Sequence, residues 1–287
     1  MAKSIMIQGT LSSVGKSIIT TGLCRIFKQD GYRVAPFKSQ SMSGNVFITE
    51  DGLQMSKAQA IQAEAAGAVP SPLMNPIFIK PTKEMNAHII VNGEPRGMGG
   101  MRLSDYSVYK KKLAPTIMRS FHALAAKNDI IVIEGAAAPA DINIKHNDIV
   151  NMWLAKMTDS PVLLVGDIDC GGLFAQIIGT LILLDPDERE RVKGTIINKF
   201  RGNIGSLSSG LNVLTKKSGK PVLGVLPYLQ VDVEDEDDLV RGSVQKPKAK
   251  NFEDKAAYND EQYNILADAM RKYLDIPLIY NVLKGGA

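Results

Sequence analysis

The chain holds 287 residues, 45% hydrophobic and 22% charged, a mix that excludes disorder of the whole chain and suits one large α/β domain or two small ones. The net charge of +4 is mild, with 30 acidic residues spread among 34 basic ones, so it gives no argument for nucleic acid as a partner. No apolar run reaches about 18 residues and the first residues lack the long apolar core of a signal peptide, so the expectation is a soluble cytoplasmic protein without a membrane partner.

Ser4–Ile7 reads as a buried strand ending at Gly9. Gly15–Gln29 carries Ile18, Ile19, Leu23, Ile26 and Phe27 at helical spacing, and Gly31 closes that helix. Arg33–Phe37 is a second strand, so the order is a βαβ unit and the sheet is expected to be parallel. Gln54–Ala66, rich in Ala, Gln, Lys and Glu, predicts a helix. Pro70, Pro72 and Pro76 then break the chain into a loop, and His88–Asn92 reads as a strand. Ser104–Lys127 predicts a long helix, kinked or started afresh at Pro115. Ile130–Ile133, Val162–Val165, Gly194–Asn198 and Val222–Leu226 predict further strands. Helices are expected at Ile149–Met157, Gly172–Leu184 and Leu207–Lys217, with a last one at Asn259–Leu274. Strands that alternate with helices in this way imply a doubly wound, mostly parallel α/β sheet.

The two cysteines, Cys24 and Cys170, exclude a disulfide scaffold and a four-Cys zinc site, and His88, His122 and His146 have no metal-ligand spacing. The informative segment is Gly9-Thr10-Leu11-Ser12-Ser13-Val14-Gly15-Lys16-Ser17, between a strand and a helix. A phosphate needs backbone N–H groups at a helix N-terminus, and Gly9 and Gly15 permit the tight path that provides them. Thr10, Ser12, Ser13 and Val14 complete the cradle. Lys16 supplies positive charge for the β- and γ-phosphates of ATP, and Ser17 a hydroxyl for Mg²⁺. The spacing is one residue longer than the usual G-x-x-x-x-G-K-[ST].

This longer loop resembles that of the dethiobiotin synthetase and cobyric acid synthase group of P-loop amide-forming enzymes. Later blocks resemble the cobyric acid synthases in particular. They are Ala35-Pro36-Phe37-Lys38-Ser39-Gln40, Ala58–Ala63, Met74-Asn75-Pro76, Glu134-Gly135 through Asn143, Asp167–Ala175, Asn198–Gly202 and Pro221–Tyr228. The resemblance implies a P-loop NTPase fold of the dethiobiotin synthetase-like type over residues 1–230. It also implies ATP-dependent amidation of carboxylates on a corrinoid in cobalamin biosynthesis. ATP phosphorylates a carboxylate, and ammonia displaces phosphate from the acyl phosphate.

The same resemblance assigns roles. Lys16 and Lys38 are the catalytic lysines, and Ser17, Glu134 and Asp51 the Mg²⁺ ligands; Asp51-Gly52 is also a good turn dipeptide. Asn198 and Pro227 read the adenine. Gln40, Gln59, Asn75, Asp141 and Lys38 are expected to contact the corrinoid. Asp169 has a supporting place near the metal or caps its loop. The pattern departs in three ways. Ala137-Ala138 stand where the family has Gly-Ser, Cys170 where it has Arg, and Ser41 and Ser43 where it has Asn and its neighbours. The glutaminase half is also missing, since no Cys follows Cys170 and every His precedes it. Residues 231–257, acidic and then basic, read as a charged linker where that half has gone. Residues 258–287 read as a C-terminal helical tail. Ammonia would then come from a separate glutaminase domain or subunit, and a homodimer stays open. Two rival readings are a dethiobiotin synthetase-like carboxylase and a partner-regulated ATPase switch. The corrinoid blocks weigh against the first, and the lack of a second lysine early in the phosphate loop against the other.

Overall fold

The computed structural model describes residues 2–82, 86–233 and 255–285. In chain order the elements are β1 (Lys3–Gly9), α1 (Lys16–Gln29), β2 (Val34–Phe37), β3 (Gln40–Met42), β4 (Val46–Ile48), β5 (Gln54–Ser56), α2 (Lys57–Ala65), β6 (Ile77–Pro81), β7 (Asn86–Val91) and β8 (Glu94–Arg102). Then follow α3 (Leu103–Tyr109), α4 (Ala114–Ala125), β9 (Ile130–Glu134), α5 (Met152–Met157), β10 (Val162–Asp167), α6 (Leu173–Leu183) and α7 (Pro186–Arg191). The chain continues through β11 (Val192–Phe200), α8 (Ser208–Ser218) and β12 (Val222–Pro227) to α9 (Lys255–Tyr273) and α10 (Ile276–Leu283).

Six strands form one parallel sheet in the order β12-β11-β10-β1-β9-β2. Its strands are apolar on both faces, as a parallel sheet covered by helices requires. Ile5 and Ile7 face a core shared with α1, α9 and α10, while Met6 faces one shared with α4, α6 and α8. Chain order reverses direction beside β1, so the carboxyl ends of β1, β9 and β10 frame a topological switch point. The doubly wound parallel sheet expected from the sequence is therefore present.

The helix expected at Ser104–Lys127 starts afresh at Pro115, one of the two forms expected: α3 and α4 are joined by a 3₁₀ turn, Lys110–Leu113, and Pro115 lies in the first turn of α4, where the missing N–H costs nothing. Two expectations need correction. Gln54–Ala66 is not one helix, because Gln54–Ser56 pairs antiparallel with Val46–Ile48 and α2 begins only at Lys57. Ile149–Met157 shortens to α5, because the Asp148 carboxylate accepts the N–H groups of Val150, Asn151 and Trp153 at 2.8–2.9 Å and Asn151 leaves helical geometry. Beyond these, a second, four-stranded sheet, β3-β6-β7-β8, lies between β2 and β9 in sequence, of which only the β7 region was expected.

The C-terminal helices are part of the body. Tyr263, Leu266, Ala267 and Met270 of α9 and Ile279 and Val282 of α10 share a core with Ile19, Leu23 and Ile26 of α1. Gly22 permits the approach, since a Cβ there would lie 2.0 Å from Met270 Sδ. Asp232 is hydrogen-bonded to Gln262 and Tyr258, so the chain on the two sides of residues 234–254 comes together. The acidic and basic run of the expected linker falls largely on residues 234–254, outside the described residues. We predict that Leu266→Ala, at a side chain with 0% exposure, lowers stability by about 2–5 kcal/mol in urea unfolding. A loss under about 1 kcal/mol would mean that α9 is not part of the core.

Candidate active site

The carboxyl ends of the parallel strands carry the expected residues. Gly9 ends β1, Glu134 ends β9, and Lys38 directly follows β2. Asn198 lies near the end of β11 and Pro227 ends β12. The loop after β1 turns into α1 through Gly15, whose φ of +97° belongs to the left-handed region. A Cβ at Gly15 would also lie 2.1 Å from Asn198 Nδ2, so both torsion and space demand glycine. Ser13 takes a φ of +60° in the same loop. Two side chains from β11 tie this loop down: Asn198 Nδ2 donates to the Val14 carbonyl at 2.8 Å, and Lys199 Nζ donates to the Ser13 carbonyl. Lys199 also pairs with the buried Asp167 at 3.0 Å.

Glu134 is the centre of the site. It is 1% exposed, and its register partner on β1 is Ile7. Lys38 Nζ lies 2.8 Å from Glu134 Oε1, and Ser17 Oγ donates to the same oxygen at 2.9 Å. Gln62 of α2 donates its amide N–H to Oε2. Burial works to raise the Glu134 pKa. The Lys38 charge and hydrogen bond, the Gln62 hydrogen bond and the Lys16 charge outweigh it and hold the carboxyl below its ordinary value. Lys16 Nζ donates to the carbonyls of Leu11 (3.1 Å) and Ala137 (3.5 Å), which places it between the phosphate loop and the loop after β9. Ser17 and Glu134 thus present hard oxygen donors on one spot, a donor set that suits Mg²⁺.

The remaining expected residues divide. Asn75 is buried, and its amide is fully spent: Nδ2 donates to the Lys38 and Ile77 carbonyls, and Oδ1 accepts from Ser41 Oγ and the Ser56 N–H. It thereby holds the Lys38 backbone and ties it to Ser41, Ser56 and Ile77. Asp51 sits exposed in the turn between β4 and β5, where its carboxylate accepts the Thr49 hydroxyl; among the described residues nothing joins it to Glu134. Gln40 accepts the Tyr106 hydroxyl at 2.6 Å. Asp141 accepts the Ala138 N–H at 3.4 Å, and Gln59 is wholly buried. Thr10 donates to Gln176, and Ser12 is exposed. Asp169 is held by Arg201 at 3.0 Å, and that guanidinium lies 3.8 Å over the Tyr228 ring, next to Pro227. Cys24 is buried in the core and Cys170 is exposed in its loop.

Gln62, Asp167, Lys199 and Asn151 were not singled out from the sequence. Asn151 Nδ2 donates to the Ala136 carbonyl at 2.6 Å, and Oδ1 accepts the Ala136 N–H at 3.2 Å, so it shapes the loop after Glu134. That loop contains Ala137 at a φ of +50°, the position where the resembling family has glycine.

Residues 5–239 match the family described as the CobQ/CobB/MinD/ParA nucleotide binding domain. A cobyric acid synthase of Lachnoclostridium phytofermentans is 56% identical over 254 residues, 87% of this chain and 49% of that protein. One of Ruminiclostridium cellulolyticum is 57% identical over 239 residues, 83% of this chain and 46% of that protein. The chain spans about half the length of the curated relatives it matches. Among solved structures, a ParA family ATPase from Chlorobium tepidum overlaps 95% of this chain and 93% of its own at 13% identity and a TM-score of 0.45.

Two predictions test this geometry. Lys38→Met leaves a buried carboxylate without its cation, which costs about 3–5 kcal/mol at neutral pH in urea unfolding. The native Glu134 pKa lies below its unfolded value, ordinarily 4.5, so its contribution is complete above that value and is lost as pH falls through the native pKa. In Lys38→Met the deficit should shrink on acidification, as Glu134 takes up a proton. A deficit constant with pH would deny the pairing. Ala137→Gly relieves a left-handed alanine and should raise stability by about 0.5–1 kcal/mol, the strain recovered less the backbone entropy of glycine. Unchanged or lower stability would deny that strain.

Proposed function

The chain belongs to the CobQ/CobB/MinD/ParA nucleotide-binding domain family, and from that premise we propose that it is the synthetase half of a cobyric acid synthase, an ATP-dependent amide-forming ligase. Its substrate would be adenosylcobyrinic acid a,c-diamide, whose remaining side-chain carboxylates are amidated towards cobyric acid. The observation that carries this reading is the convergence of Lys16, Ser17, Lys38 and Glu134 at the mouth of one phosphate loop.

A free carboxylate resists ammonia because its charge repels a nucleophile and oxide is a poor leaving group. A carboxylate oxygen attacks the γ-phosphorus of ATP, and the bond from that phosphorus to ADP breaks. Ammonia nitrogen then attacks the acyl carbon, the carbon–oxygen bond to phosphate breaks with its electron pair, and nitrogen gives up a proton to leave the amide. The protein's share is positioning and charge. The loop amides before α1 and Lys16 take the triphosphate. Lys38, held at its carbonyl by Asn75, faces the transferred phosphoryl and the attacking carboxylate. Ser17 and Glu134 would hold Mg²⁺, which neutralises phosphate charge, and Asp51 is the candidate second acid on the hairpin that leads into α2. Asn198 spends its amide nitrogen on Val14, so Oδ1 is left to accept from the exocyclic amine of adenine, with Pro227 against the base. Gln40 and Asp141 are candidate contacts to the corrinoid periphery.

No Cys–His–Glu set can be assembled from these residues in the order a glutaminase needs, so ammonia comes from outside them. The hydrogen bonds that bring Asp232 to Gln262 and Tyr258 support residues 234–254 as the place where longer relatives insert more chain. The cytoplasm, where ATP is supplied, is the compartment this chemistry needs.

With ATP, Mg²⁺, the corrinoid diamide and ammonium, the chain should form amides; with glutamine replacing ammonium it should not. Lys16→Ala should abolish amidation and ATP uptake in calorimetry while circular dichroism stays unchanged. Undiminished ATP uptake by that variant would overturn the loop assignment.

A further inference from the structure

One buried stripe at the start of α2 carries side-chain atoms that no contact above uses. Ser56, Gln59 and Gln62 recur every third residue at the start of the helix, so they share one face. Their exposures are 1%, 0% and 0%. Both ends of the stripe are fixed to the active site. Gln62 donates to Glu134, and the Ser56 N–H donates to Asn75, which holds the Lys38 carbonyl. Between these anchors Ser56 Oγ, Gln59 Oε1, Gln59 Nε2 and Gln62 Oε1 are buried without a hydrogen-bond partner. Ser56 and Gln59 even have the spacing of a capping box, in which each would satisfy the other's backbone, yet Ser56 makes no side-chain cap bond. Unmade buried hydrogen bonds are costly, so four in one stripe beside a reactive centre point to a small polar occupant.

The geometry points to a pocket for neutral ammonia, held by Gln59 with Ser56 and Gln62 beside the carboxylate to be amidated; this rests on the synthetase reading. Ammonia brings three N–H donors and one lone pair. The stripe offers three acceptor oxygens and the Gln59 amide N–H. Ammonium has no lone pair for that donor. A corrinoid side chain cannot enter a stripe closed to solvent without opening it, whereas ammonia is the size of a water molecule.

Two measurements on the full chain test the pocket. In a ¹H–¹⁵N spectrum, the side-chain amide signal of Gln59, assigned by its loss in Gln59→Leu, should shift as ammonium chloride is added and not with potassium chloride. No differential shift overturns the pocket, whether or not the chain proves to amidate a corrinoid. In turnover assays, Gln59→Leu should raise KM for ammonium about tenfold, the size of one lost hydrogen bond, with KM for ATP unchanged. Gln59 has no bond to lose, so the melting temperature of that variant should not fall. A KM for ammonium within about twofold of the unsubstituted chain, or a rise in the corrinoid KM instead, overturns the pocket and leaves a buried water or a ring contact in its place.

Discussion

A carboxylate closed off from water at the end of a central strand must be answered by its neighbours, and Glu134 is answered from three directions. Lys38 brings charge from the end of β2, Ser17 a hydroxyl from the first turn of α1, and Gln62 an amide from α2. Desolvating two opposite charges costs several kcal/mol per ion, and the attraction between them repays this only when the remaining lone pairs are satisfied. The pair therefore adds little to stability as a whole, and removing one partner is expensive. Its value is geometric. While Glu134 stays ionised, the phosphate-loop helix, the second strand and the α2 helix are held to one point.

That point lies where an open α/β sheet offers a site by its topology. Parallel strands bring all their carboxyl ends to one edge, and the reversal beside β1 splays the loops there. The segment between β2 and β9 adds a second sheet and α2 on the same side, and Asn75 stitches it to the first. Its one amide joins β6, Ser41 of β3 and the N–H of Ser56 to the carbonyl of Lys38. A displacement of the inserted sheet would be felt directly at Lys38 and through it at Glu134.

How much of this was legible in the sequence follows from the range of each signal. The strands of the parallel sheet are short apolar runs, and the phosphate loop is a contiguous motif, so both can be read locally. The second sheet and the β4-β5 hairpin could not be read so. Gln40–Met42, Val46–Ile48 and Gln54–Ser56 are each three residues long, and Gln40–Met42 pairs with Ile77–Ile79, far along the chain. Gln54–Ser56 has helix-forming neighbours, and pairing with β4 overrides that propensity. Gln62 was hidden for the opposite reason. In an alanine-rich helix a glutamine reads as a solvated residue, and only the fold turns it towards Glu134. The fact that Ser56, Gln59 and Gln62 sit at one helical spacing among alanines was the available signal. Asn75 lay within a resembling block, but its work on the backbone is a matter of contacts that spacing does not reveal.

The loop itself shows why the brace from β11 matters. Ser13, Ala137 and Lys199 all carry left-handed torsions without being glycine, and each sits at or beside the phosphate cradle. Such torsions cost of order 1 kcal/mol or more each and persist only where neighbours over-determine them. Lys199 meets that condition on two sides, with its ammonium between the Ser13 carbonyl and the Asp167 carboxylate. Asn198 fills the space that a side chain at Gly15 would need. Ala137 is fixed by its neighbour, since Asn151 takes both the N–H and the carbonyl of Ala136. The cradle is thus held by contacts within the protein itself, at a cost spread over three residues.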